Sequence, residues 1–206
     1  MLRSLTVLRH RDFRLLTLST FLLFAARWME VVVLGWMVLE LTDSPFMVGV
    51  AGAFRFIGWS FGPLGGAISD RLERRRLLIV AQGVNTLTAL SLLALLATDR
   101  LQVWQLFAAI LIAGTTYAVD YPARNALVGD VVGDGELLNA MALNRAAQNL
   151  TAVVGPLLGG SLLLVVGYSG AYSLVAAMYV ANLMALFPLS RMPAAPRTWQ
   201  AVPTQS

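Results

Sequence analysis

The chain has 206 residues, of which 58% are hydrophobic and 13% charged, and its mean hydropathy is +0.71. A soluble domain carries about 25% charged residues, so this composition excludes one and points to an integral membrane protein. The formal charge of +4 comes with 15 basic residues that are all arginine; they cluster between apolar runs, which makes the membrane surface their partner and excludes nucleic acid. There is no cysteine, which removes disulfides and thiolate metal sites.

In chain order, residues 1–14 form a basic N-terminus with Arg3, Arg9, Arg11 and Arg14 around His10 and Asp12, expected on the cytoplasmic face. The first apolar run is too long for a signal-peptide core and lacks a small-x-small cleavage site, so it reads as a retained span. A bundle over residues 15–189 then divides into six predicted spans: Leu15 to Leu39, Phe46 to Ile68, Leu77 to Thr98, Val103 to Leu127, Asn139 to Val166 and Ala171 to Leu189. Span three has 22 residues without a charge, about 33 Å of helix, enough to cross a bilayer core. The segments read as inner hold ten arginines against one, Arg100, in those read as outer. That asymmetry places both termini in the cytoplasm. The inner connection Val128 to Leu138 is acidic through Asp130, Asp134 and Glu136, and acidic residues weigh little in this rule. Residues 190–206, rich in proline, read as a cytoplasmic tail or the start of a linker.

Between spans two and three stands Gly65 to Leu78, GGAISDRLERRRLL. Gly66, Asp70, Arg71, Arg74 and Arg75 have the spacing G-x-x-x-D-R-x-x-R-R, which resembles the loop between the second and third helices of the major facilitator superfamily. The superfamily usually has glycine where this chain has Glu73; an acidic residue there is similar to the exporter branch called transmembrane secretion effector, which includes the enterobactin exporter. The resemblance implies a conformational hinge at these residues. It also implies one half of a transporter: a complete member would continue into a second six-helix half.

A repeat supports the same fold class. Gly62-Pro63-Leu64-Gly65-Gly66 closes span two, and Gly155-Pro156-Leu157-Leu158-Gly159-Gly160 lies in span five. Three spans apart, the halves they mark must be oppositely oriented, an inverted three-plus-three repeat. The glycines should let these segments pack tightly on partner helices, and the prolines should bend them. The second segment also resembles the antiporter motif of drug-proton exchangers, although only G-P-x-x-G-G is present and alanine stands near the motif's start, at Ala147.

Ionisable side chains inside spans mark a function or a pairing. Here they are Arg27, Glu30, Arg55, Asp120, Arg124 and Arg145. Glu30 lies nine residues before Leu39 and Arg55 nine after Phe46, so an antiparallel pair brings them to one level. By the same reasoning Asp120 is expected opposite Arg145. Arg27 and Glu30, at i and i+3, are able to bridge along one helix. Each acid either neutralises an arginine, or exchanges a proton or meets a cationic substrate in a central cavity, with Asp120 near the cytoplasmic end and in reach of water. Arg124, in Tyr121-Pro122-Ala123-Arg124, resembles the fourth-helix arginine of the exporter branch, which implies an interfacial latch with Asp70. Trp36 and Trp104 read as interface anchors, whereas Trp28 and Trp59 are candidates for a cavity wall.

Catalysis is argued down. The lone histidine, His10, lies outside the spans, no acidic cluster suits a metal, and no phosphate-binding loop is present; no cofactor is expected. The reading is an all-α membrane protein, half of a secondary transporter in the cell inner membrane that exchanges protons for an exported small molecule such as a drug or siderophore. The alternatives are a truncated or scaffold six-helix membrane protein without transport of its own and a half that works as a homodimer.

Overall fold

The computed structural model describes residues 7–60, 62, 73–133 and 135–189. Among them every regular element beyond a short helical turn is an α-helix: α1 (Arg11–Thr42), α2 (Pro45–Trp59), α3 (Arg74–Ala97), α4 (Val103–Val132) and α5 (Leu137–Leu186). Pro63 of the glycine-proline element, Gly66, Asp70 and Arg71 of the loop motif, and residues 61 and 63–68 of the predicted span two lie outside the described residues.

The termini of the helices follow from local chemistry. Asp12 in the first turn of α1 sits where the helix dipole favours an anion, and Asp43 ends the helix in the left-handed conformation at φ 48°, which aspartate tolerates better than most residues. Only Asp43 and Ser44 separate α1 from α2, and Pro45 opens α2 where its missing N–H costs nothing. Gln102 and Gln105 cap each other's backbone at the start of α4, a reciprocal arrangement that satisfies two free donors.

With 50 residues, about 75 Å of helix, α5 is too long for one crossing of a core about 30 Å thick. It breaks at Gly167, whose φ of 68° and ψ of −171° are non-helical and lie in a region reserved in effect for glycine. Contacts with α1 show that the chain reverses there. Along the first arm (137–166) they climb from His10 against Glu136 to Met29 against Gly159. Along the second arm (168–186) they descend from Glu30 against Tyr172 to Ser19 against Asn182. The predicted outer connection Gly167 to Gly170 thus shrinks to a single residue out of helix.

Two backbone contacts set the helix spacing. A Cβ on Gly58 of α2 would lie 2.5 Å from the carbonyl carbon of Gly114 on α4. A Cβ on Gly155 would lie 3.1 Å from Ala25 O, and one on Gly159 3.2 Å from Met29 O, both on α1. So α2 lies on α4 as the first arm of α5 lies on α1, each through glycine. Gly62 and Gly160, by contrast, have nothing within 4 Å of where their Cβ would be; the tight contact in the α2 region is one turn earlier than the G-P element suggested. Pro156 lies inside α5.

The apolar interior is in two parts. One runs from Leu23 to Val38 on α1 and includes Leu92, Ile110 and Val175; the other includes Phe13, Leu16, Leu78, Leu127 and Leu186. Between these two parts α1, α3, α4 and the second arm of α5 carry buried polar side chains, Ser19 and Thr20, Gln82 and Asn85, Asp120, and Asn182.

Candidate functional site

That intermediate layer is a closed ring of buried hydrogen bonds. Gln82 Nε2 donates to Asp120 Oδ1 at 2.6 Å, and Asn182 Nδ2 donates to Gln82 Oε1 at 3.0 Å. Ser19 Oγ donates to Asn182 Oδ1 at 2.6 Å, and Arg124 Nη1 donates to Ser19 Oγ at 2.9 Å. Arg124 Nε and Nη2 close the ring on the two Asp120 oxygens at 3.1 and 3.2 Å. Asn85, itself bonded to Gln82, accepts from Thr116 Oγ1 at 2.7 Å. Removed from water, such groups are stable only when fully partnered, and the ring achieves this by drawing one member or more from each of four helices.

This geometry revises several expectations. Asp120 is 0% exposed and Arg124 1% exposed, so neither is interfacial. Asp120 pairs with Arg124 one turn away on its own helix instead of with Arg145, because the local partner requires no second helix to be held in register. Arg145 turns to Gln148 Oε1, at 3.3 Å, and lies over the Tyr121 ring at 5.3 Å. Arg124 spends its three nitrogens on Asp120, Ser19 and Thr20; its proposed partner Asp70 lies outside the described residues.

Nearer the other end of the bundle, Glu30 is 3% exposed. It accepts from Tyr179 Oη at 3.0 Å and Tyr172 Oη at 3.3 Å, two hydroxyls presented two turns apart by the second arm of α5. Arg55 of α2 stands opposite, with Nη2 3.7 Å from Glu30 Oε2. Arg27 does not bridge to Glu30 along α1. It donates from Nη2 to Ala113 O at 3.3 Å and lies 4.6 Å above the Tyr117 ring, which leaves its buried Nε without a partner.

Arg27 and Arg55 both face a cavity of about 330 Å³ between α1, α2 and α4. Trp28, Phe56, Trp59 and Tyr117 form much of its wall. Trp59 stacks on Tyr117 at 4.9 Å and 28°, and Tyr117 on Tyr121 at 5.1 Å and 26°. Trp36 and Trp104, more than half exposed, stand apart from it.

At the end where α3 begins, Arg74 pairs with Asp130 of α4, and Arg75 Nη2 donates to Phe187 O at 2.5 Å, a carbonyl left free at the end of α5. Glu73 pairs with Arg76 at 2.6 Å, and His10 Nε2 lies 3.1 Å from Glu136 Oε2.

Sequence reasoning missed Gln82, Asn182, Ser19, Tyr172 and Tyr179. An available signal was spacing: Gln82 and Asn85, or Thr116, Asp120 and Arg124, share a helical face at i, i+3 and i+4.

Known proteins place the chain independently. The family described as transmembrane secretion effector matches residues 3–200. The enterobactin exporter EntS of Salmonella typhimurium is 31% identical over 193 residues, covering 84% of this chain and 44% of the relative. The exporter of the same name from Citrobacter koseri is 30% identical over 192 residues, covering 84% and 43%. The chain therefore spans less than half the length of the curated relatives it matches.

Proposed function

The chain belongs to the transmembrane secretion effector family of the major facilitator superfamily, a family of transporters, and on that premise we propose that it is one six-span half of a proton-coupled exporter of small amphiphilic molecules. The observation that carries the reading is the buried carboxylate of Glu30, tied to two tyrosines and opposed by Arg55 on the wall of an aromatic cavity. An ionisable group held in this way inside a membrane bundle is costly and marks an ion or substrate pathway.

The inverted three-plus-three repeat is part of the proposal. Exchange of the two triplets of spans maps α1 onto α4 and α2 onto the first arm of α5, and the two glycine contacts, α2 on α4 and that arm on α1, are equivalent under this exchange. Repeat interfaces of this kind host substrate and coupling ions near the bilayer midplane. The ties of Arg74 to Asp130 and Arg75 to Phe187 O support a latch at the proposed cytoplasmic end, with Gly66, Asp70 and Arg71 as its further members. Both termini are placed in the cytoplasm of a cell inner membrane, and the partners are lipid, protons, substrate and a second six-helix half.

The test separates pairing from coupling. In vesicles containing the whole transporter with an imposed pH gradient, Glu30→Gln alone leaves the half-buried Arg55 opposite a neutral amide and should lower folded yield. Adding Arg55→Gln should restore the yield, while gradient-driven efflux of a fluorescent amphiphile stays lost. Full gradient-driven efflux in the double variant would show that Glu30 is no essential proton site, and would leave Asp120 as the candidate.

A further inference from the structure

We propose that the cavity between α1, α2 and α4 selects a planar aromatic anion, an aryl carboxylate in its simplest form. The inference rests on reading this cavity as the substrate site and adds the charge and shape of what enters it.

Charge comes first. The cavity wall carries two guanidinium groups, Arg27 and Arg55, and neither nearby carboxylate, Glu30 or Asp120, is among the side chains that line it. Glu30 is engaged by Tyr172 and Tyr179 and has Arg55 as its basic neighbour. At 3.7 Å its contact with Arg55 is too long for a hydrogen bond, and Arg55 itself lines the cavity. Arg27 is 6% exposed, is held by Ala113 O and the Tyr117 face, and keeps a buried Nε with no partner. The two nearby carboxylates are paired elsewhere, Glu30 with Arg55 and Asp120 with Arg124, so an anion in the cavity would stand beside a guanidinium that has no carboxylate in contact among the described residues. A carboxylate suits a guanidinium best, since two parallel hydrogen bonds are possible.

Shape follows from the aromatic wall. Trp59, Tyr117 and Tyr121 make a continuous stack, and Phe56 meets Trp59 edge-on at 5.0 Å. Trp28, on α1, also lines the cavity, so its wall is largely aromatic and its charged members are both cations. A flat ring meets such a wall with favourable offset or edge contacts, while its carboxylate reaches the arginines. A cation would be repelled by both guanidinium groups.

The probes are three isosteres of different charge: 2-naphthoate, 2-naphthamide and 2-naphthylmethylammonium. Binding to the purified chain in lipid nanodiscs is followed by tryptophan fluorescence, with calorimetry as a check. Naphthoate should bind about tenfold more tightly than the amide, the scale of one charge-assisted hydrogen bond, and the ammonium should bind weakest. Arg27→Gln should remove most of the preference for naphthoate, and Arg27→Lys should retain part of it. If Arg27→Gln lowers the folded yield, Arg55→Gln provides the second test and should also shrink the preference. Equal binding of naphthoate and amide, or tighter binding of the ammonium, would overturn the anion assignment while leaving the cavity as a ligand site. Failure of all three to bind a correctly folded chain would remove both readings.

Discussion

The contact between Gly58 and Gly114 makes a quantitative prediction about what holds α2 in place. In Gly58→Ala the new methyl would stand 2.5 Å from Gly114 C and 2.6 Å from both Gly114 Cα and Thr115 N, where ordinary contact starts at 3.4 Å. All three are backbone atoms, so no side chain can rotate away; α2 and α4 must part by about 0.9 Å, the difference between 3.4 and 2.5 Å. Overpacking of this kind costs about 1–3 kcal/mol, or ~3–9 °C of melting temperature for a chain of this size. The reciprocal change, Gly114→Ala, drives a methyl to 2.6 Å from Arg55 O and should cost a similar amount. Once the helices have parted the second methyl meets less resistance, so the double variant should lose less than the sum. Gly49→Ala is the matched control: it is also in α2 with nothing within 4 Å, and alanine's helix propensity should make it neutral or stabilising by up to about 1 kcal/mol. Thermal unfolding in detergent, followed by light scattering and tryptophan emission, measures all four. Melting of Gly58→Ala within a degree of Gly49→Ala would refute the claim that backbone contact fixes this interface.

Three further outcomes are expected. Asp120→Asn leaves the Arg124 guanidinium buried without its counter-ion and should destabilise the fold by about 3–5 kcal/mol; combining it with Arg124→Gln should recover most of this, as read from detergent-solubilised yield and melting temperature. Gly167→Ala forces a side chain into a backbone region that only glycine occupies comfortably, costing about 1–3 kcal/mol, whereas Gly160→Ala, where space is open, should not change stability; equal effects of the two would show that the reversal does not depend on Gly167. A reporter active only in the cytoplasm should be active when fused after Arg197 and silent when inserted at Asp43, and the opposite pattern would overturn the orientation proposed from the arginine count.

How much of this was legible in sequence depended on whether a signal was long-range or local. Apolar runs bounded by charges mark helices well, and α1, α3 and α4 lie within a few residues of the predicted spans because hydrocarbon length dictates both. Depth arithmetic set Glu30 opposite Arg55 since each charge has few possible partners at its level, and the structure has them 3.7 Å apart. The same arithmetic misassigned Asp120, because it ignored a competitor one turn away; for a residue with a partner at i+4, pairing within the helix has the lower entropic cost. Uncharged polar residues were the larger blind spot. Gln82, Asn182 and Ser19 are individually ordinary in membrane helices, and only the fold shows that they close a ring with Asp120 and Arg124. Position in the bundle explains why that ring matters. It sits between two apolar clusters, so the four helices it joins cannot slide past one another without breaking hydrogen bonds that have no water to replace them. Among the described residues α2 has no member in the ring; it is held by Gly58 against Gly114, by Phe54 and Trp59 against Phe107 and Tyr117, and by the loose pair of Arg55 with Glu30. A shift of α2 would therefore leave the ring intact, and α2 is the helix whose Arg55 lines the cavity and lies 3.7 Å from the buried carboxylate.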